Sequence, residues 1–126
     1  MQYTVSFPTG AVDYRFGSSL ADLPLMAPPQ RSIVITDSNF HEAYGEDLKD
    51  YQVLVMPAGE EHKTWETART LIQQMIALEA HRKTTLIGIG GGVVTDITGF
   101  IASIYMRGID FGFVPTTLLS MVDAAV

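Results

Sequence analysis

The chain has 126 residues, 47% of them hydrophobic, which suits one domain with a sizeable core. Its 8 Lys+Arg against 14 Asp+Glu leave a formal charge of −6 and no basic run, which argues against a nucleic-acid or anionic-membrane surface. Cysteine is absent, so disulfides, thiolate metal sites and a cysteine nucleophile are excluded, and a cytoplasmic protein is the expectation. No apolar stretch approaches the ~18 residues of a membrane span, and the opening MQYTVSF lacks the basic and apolar regions of a signal peptide.

Tyr3 to Phe7 is a short β-favouring run, ended by Pro8, Thr9 and Gly10. Val12 to Phe16 alternates apolar and polar residues, so the two runs predict an antiparallel hairpin. Ser18 or Ser19 can cap a short helix through Leu20 to Leu23, before Pro24, Pro28 and Pro29 force a loop. Arg31 to Thr36 reads as a buried strand that ends at Asp37-Ser38-Asn39. An acid and an amide at a strand end can hold ribose hydroxyls. The simpler reading makes Asp37 or Ser38 the cap of a short helix containing Phe40 and Tyr44.

Tyr51 to Met56 is the next strand, followed by Pro57-Ala58-Gly59-Glu60-Glu61-His62-Lys63, the densest polar cluster of the chain. Glu60 and Lys63 can orient a ligand there, or the cluster is a solvated turn. Thr64 to about Glu79 predicts the clearest helix, with Ala68, Leu71, Ile72, Met75 and Ile76 on one apolar face. Thr64 serves as its cap, and His81, Arg82 and Lys83 suit its negative end.

The stretch Leu86 to Asp96, LIGIGGGVVTD, predicts strand, tight turn and helix, with glycines at 88, 90, 91 and 92. A helix opening directly after such a turn offers free N–H groups and a partial positive charge to a phosphate. The spacing is neither GxGxxG nor a P-loop, and close strand–helix packing alone would also call for glycine. The helix runs through Ile97, Phe100, Ile101 and Ile104 and is expected to end at Arg107-Gly108. Gly99 inside it predicts a close neighbour. Ile109 to Val114 is a further strand, then come Pro115, Thr116 and Thr117, with helix expected from Leu118 onward.

Strands alternating with helices predict an α/β, Rossmann-like fold with a mainly parallel sheet flanked by helices, after the N-terminal hairpin. By the strand-end rule, Asp37/Asn39, Glu60/Lys63, the glycine turn with Asp96, and Thr116/Thr117 should converge on one crevice suited to a dinucleotide.

PAGEEHK at 57–63, GGGVVTDITGF at 90–100, YMRG at 105–108 and VPTTLLSMVDAAV at 114–126 occur in this order, with TDSN at 36–39 before them. Together they resemble the N-terminal, NAD-binding half of the 3-dehydroquinate synthase family. The resemblance implies that Asp37 and Asn39 hold the adenosine part of NAD and that Glu60 and Lys63 also contact NAD. It puts Gly91, Gly92 and Val93 at the pyrophosphate with Asp96 in the same site, and Thr116 and Thr117 on the nicotinamide-side ribose and phosphates. It places Asp123 near nicotinamide and substrate, and Arg107 on the substrate phosphate across a homodimer. In most relatives glycine occupies the position of Thr95 and serine that of Ala125. The threonine is therefore expected to put a β-carbon next to the phosphates.

The implied reaction converts 3-deoxy-D-arabino-heptulosonate 7-phosphate into 3-dehydroquinate and phosphate, a phosphate-lyase step of the shikimate pathway and so of aromatic amino acid biosynthesis. NAD is the transient hydride carrier, and zinc or cobalt is the Lewis acid. The family continues past this point into GGK, whose lysine is catalytic, and then into a helical domain with the metal ligands. Residues 1–126 are thus expected to be the truncated cofactor domain, lacking the C-terminal metal and substrate domain and inactive alone. The apolar stretch Phe111 to Val126 reads as an interrupted chain. His41, His62 and His81 form no i, i+4 pair, so no metal site is assigned. Other readings are another sugar-phosphate cyclase, the nucleotide domain of a polyol dehydrogenase, or a nucleotide-binding module without catalysis.

Overall fold

The computed structural model describes residues 2–7, 10–15 and 20–116. The expected caps Ser18 and Ser19, the helix from Leu118, and Thr117 and Asp123 lie outside the described residues. Strands β1 (Gln2–Phe7) and β2 (Gly10–Arg15) pair antiparallel from Gln2↔Arg15 to Phe7↔Gly10, as the alternation predicted.

The remaining strands are β3 (Ser32–Asp37), β4 (Gln52–Met56), β5 (Thr85–Gly90) and β6 (Phe111–Pro115). They form one sheet in the order β4-β3-β5-β6, and every pairing is parallel. Parallel neighbours need crossover segments, and those segments cover both faces. Helices α3 (Trp65–Ala77) and α4 (Gly92–Ile104) share a core with Ile33, Ile35, Leu54, Met56 and Leu86. On the other face, Val34, Ile87 and Ile89 pack with Leu23 of α1 (Leu23–Met26) and with Leu48. Phe40 of α2 (Ser38–Tyr44) packs against that second core. Alternate strand residues therefore serve opposite cores, the period-2 consequence of the pleat.

The helix boundaries depart from expectation in ways that backbone geometry explains. Helix α3 stops at Ala77 because Glu79 takes a left-handed φ of 60° and the chain folds back, Ala80 N–H donating to Met75 O and Glu79 N–H to Ile76 O. This is a Schellman ending with glutamate in the place usually held by glycine. His81, Arg82 and Lys83 follow this ending, just past the carboxyl end of the helix. Ile76, assigned to the apolar face, is 61% exposed, while Met75 is fully buried. Helix α4 ends at Ile104, not at Arg107. A turn of 3₁₀ helix follows, in which Met106 and Arg107 take φ of 48° and 70° before Gly108 at 112°. Phe100 and Ile104, part of the apolar run of α4, are just under half exposed, and Trp65 of α3 meets Phe100 edge-on at 6.1 Å.

Strand β5 meets α4 in a regular way. Four helical residues rise about as far as two strand residues, roughly 6 Å against 6.6 Å. Thr98 therefore lies over Gly88 and Val94 over Gly90. A β-carbon on Gly88 would approach Thr98 Cβ to 2.8 Å, and one on Gly90 would approach Val94 Cγ2 to 2.8 Å. These two glycines let the helix close onto the sheet. Gly99 differs: Phe113 is its neighbour, but a β-carbon there would lie 3.4 Å from Phe113 Cζ, an ordinary contact, so packing does not demand glycine at 99.

Candidate functional site

The strand order sets the position of the crevice. After β3 the chain crosses to β4 on one side, then returns past β3 to β5 and β6 on the other. Connections thus leave the carboxyl ends of β3 and β5 in opposite directions, and a ligand crevice opens between them. Asp37 ends β3, and the turn Gly90-Gly91-Gly92 follows β5.

The three longer helix starts differ. Asp37 Oδ1 accepts from Phe40 N–H at 2.8 Å and caps α2, which is the simpler of the two readings for that residue. Thr64 Oγ1 accepts from Thr67 N–H at 3.2 Å and caps α3. Helix α4 has Gly91 at its N-cap and no side-chain cap. Its amino end therefore faces the crevice with backbone donors that no capping side chain satisfies. Gly92, the first residue of α4, differs from Gly88 and Gly90, because a β-carbon there would meet nothing within 4 Å. Packing does not require glycine at 92, whereas a ligand approaching the backbone would.

Three contacts draw the other strand ends toward this turn. Ser38 Oγ accepts from Ala58 N–H at 3.1 Å, tying the loop after β4 to the end of β3. Lys63 Nζ lies 2.6 Å from Asp96 Oδ2 in the first turns of α4, and 3.9 Å from Glu60 Oε1. Thr116 N–H donates to Gly90 O at 2.9 Å, placing Thr116 beside the glycine turn. The Lys63 and Asp96 side chains are 43% and 34% exposed, so this pair sits at the rim, open to an incoming ligand. Asn39 lies in the first turn of α2, and Val93 is half-buried in that of α4.

Arg107 stands apart. Helix α4 separates it from the crevice of its own chain by about 20 Å, and its side chain is exposed at the amino edge of the sheet. Thr95 also departs from expectation. It is 1% exposed, and its hydroxyl turns back onto Gly91 O and Gly92 O at 3.3 and 3.2 Å, so its β-carbon lies under the turn rather than beside a ligand. The Ser38 contact and the Thr95 hydroxyl went unread in the sequence. A β-branched hydroxyl four residues after a turn carbonyl is the signal for the second.

An open groove lined by Ile72, Ile76, Ala80, Ile104, Tyr105 and Met106 lies between the carboxyl-terminal ends of α3 and α4. It contains no acid or base that titrates near neutrality and is remote from the crevice, so the site is assigned to the crevice. Among the described residues, no three His, Asp or Glu side chains gather as a metal set.

A family model described as 3-dehydroquinate synthase N-terminal matches residues 53–126. The chain is 43% identical over 115 residues to 3-dehydroquinate synthase of Pyrococcus furiosus, covering 86% of this chain and 34% of that protein. A solved 2-deoxy-scyllo-inosose synthase superposes with a TM-score of 0.80 at 30% identity, over 98% of this chain and 38% of the other. A 2-epi-5-epi-valiolone synthase from Streptomyces hygroscopicus subsp. jinggangensis, solved with NAD+ and Zn2+ bound, gives 0.73 at 32% identity, over 85% and 32%. The chain spans about a third of the length of these relatives.

Proposed function

This chain belongs to the 3-dehydroquinate synthase N-terminal family, and we propose that it is the NAD-binding part of a cytoplasmic 3-dehydroquinate synthase. The observation that carries the proposal is the uncapped amino end of α4 at the switch point, with Gly92 leaving open space in front of it. A pyrophosphate fits there because backbone donors and the positive end of the helix dipole favour an anion. Lys63 adds a cation at the rim, and Asp96, bound to it, presents a neutralised rather than a free carboxylate to the phosphates.

In this reading Gly91, Gly92 and Val93 hold the pyrophosphate. Asp37 and Asn39 hold the adenosine side. Glu60, Lys63 and Asp96 contact NAD around its phosphates, and Thr116, Thr117 and Asp123 orient the nicotinamide half. When bound, NAD supplies a reversible hydride acceptor, and this chain supplies its position and electrostatic setting. Asp37 can serve both roles read in the sequence, because its cap engages Oδ1 alone. The described residues do not fit a zinc or cobalt set, so no step through the metal is assigned to them.

We place Arg107 on the substrate of a second copy in a homodimer. Its position, a helix length from its own crevice and beside exposed Ile104 and Met106, supports this. Phosphate elimination by a lyase is assigned to the longer protein, since the relatives are about three times the length of this chain.

Calorimetric titration of NAD+ into the full-length protein carrying this chain tests the cofactor reading. Phosphate release from 3-deoxy-D-arabino-heptulosonate 7-phosphate tests the activity. NAD+ binding without that turnover would move the assignment to another sugar-phosphate cyclase, the reading that the two solved relatives favour. No NAD+ binding at millimolar concentration would overturn both.

A further inference from the structure

The turn that faces the crevice consists of three consecutive glycines, the residues that lose most backbone freedom on folding. Each is held differently. Gly90 is fixed by Val94 packed over it and by the bond from Thr116 N–H to its carbonyl. Gly92 has nothing within 4 Å of where a β-carbon would stand. The Gly91 and Gly92 carbonyls share one side-chain partner, Thr95 Oγ1, at 3.3 and 3.2 Å, while Thr95 N–H also donates to Gly91 O at 3.1 Å. Thr95 is 1% exposed, so its hydroxyl is shielded from solvent. Its β-branch further restricts χ1 in a helix.

We propose that Thr95 is a positioning residue of the anion cradle: its buried hydroxyl shares its one proton between the Gly91 and Gly92 carbonyls, restrains their two peptide planes, and so aims the Gly92 and Val93 N–H groups of those planes before any ligand arrives. This rests on the reading of the crevice as a pyrophosphate site and deepens it. The chemistry is preorganisation. A cradle that is already ordered loses less entropy on binding, and the gain appears as affinity without any contact to the ligand. Thr95 touches no ligand in this account. It acts through Gly91 and Gly92.

The test uses the full-length protein with Thr95→Val, which keeps shape and burial and removes the hydroxyl, and Thr95→Ser, which keeps the hydroxyl. NAD+ is titrated calorimetrically, and backbone N–H order parameters of Gly92 and Val93 are measured by NMR without ligand. Thr95→Val is expected to raise the NAD+ Kd about threefold to tenfold, the scale of one modest hydrogen bond, and to lower the order parameters at both residues. Thr95→Ser is expected to restore most of the affinity. A merely structural role would lower thermal stability in both variants and leave these order parameters unchanged in the folded protein. Parental NAD+ affinity in a folded Thr95→Val protein overturns the proposal, as does unchanged order at both residues. Failure of the parent itself to bind NAD+ would instead overturn the cofactor reading.

Discussion

The two edges of the parallel sheet share inward-turned hydroxyls but differ in what they leave open. At the amino edge, side-chain hydroxyls turn inward and bond backbone carbonyls. Tyr51 OH donates to Ala27 O at 2.5 Å, Tyr105 OH to Ala80 O at 2.9 Å, and Ser32 Oγ to Pro28 O at 2.8 Å. Thr84 Oγ1 accepts from His81 N–H at 3.0 Å. At the carboxyl edge the amino end of α4 has no side-chain cap, and the Lys63–Asp96 ion pair is open to solvent. Buried polar groups left unpaired cost free energy, so the first edge is closed for stability. The second keeps donors and charge available to a ligand. The comparison teaches that stability and binding can be perturbed separately here, by edge.

Two glycines of one strand–turn unit give the largest expected effects and the sharpest contrast. Gly92→Val fills the open space before α4. It is expected to weaken NAD+ binding at least about 100-fold by excluding the phosphates from the backbone, with stability changed by less than about 0.5 kcal/mol as at an unpacked surface position. Gly88→Val drives a side chain into Thr98 and is expected to cost about 3 kcal/mol of stability, the upper range for overpacking. Calorimetry and urea denaturation of both variants check the division. Equal loss of stability in the two would break it.

Lys63→Met comes next. A half-exposed ion pair contributes about 0.5 kcal/mol to stability, so the fold should barely respond. NAD+ affinity should fall about tenfold, and its dependence on salt should flatten because one cation has left the rim. Titrations at low and high ionic strength measure both. An unchanged salt dependence would remove Lys63 from the site.

The legible part of this molecule was the part governed by local pattern. Alternating β and α segments gave the parallel sheet, and Thr64 and Asp37 behaved as their types require. The sequence pattern also brought the strand-end residues to one edge, because a parallel sheet puts every carboxyl end there. What it missed depends on non-local packing or on unfavoured backbone. Nothing local announces that Glu79 will take the left-handed ending of α3, or that Met106 and Arg107 will leave α4 early. Ile76 and Phe100 carry the right period yet face outward, since periodicity identifies a face without saying what lies against it. Gly88, Gly90 and Gly92 looked alike in sequence, and their division into packing and open positions emerges only from the register of α4 over β5.

The smallest expected effect belongs to the amino edge and to alkaline pH. Burial pushes the phenol of Tyr51 above the ordinary tyrosine value of about 10, and the neighbouring Asp50 charge pushes it in the same direction. Burial does the same for Tyr105. Both phenols donate to carbonyls, and ionisation would remove the donor. A pKa raised in the folded state means that the folded chain holds the proton more tightly than the unfolded chain. The associated stability is fully present below the unfolded value and is lost as pH rises from there through the folded value. Tyr51→Phe and Tyr105→Phe should each cost about 1 kcal/mol at neutral pH by leaving a carbonyl without its donor. The double variant should then lose stability less steeply than the parent above about pH 10. NAD+ affinity at neutral pH should match the parent, because both residues stand at the edge remote from the glycine turn. Urea denaturation from pH 8 to 11, with a single NAD+ titration at pH 7, measures all three. A double variant that folds normally yet binds NAD+ tenfold more weakly would show that the two edges are coupled through α4, and the separation argued from their construction would fail.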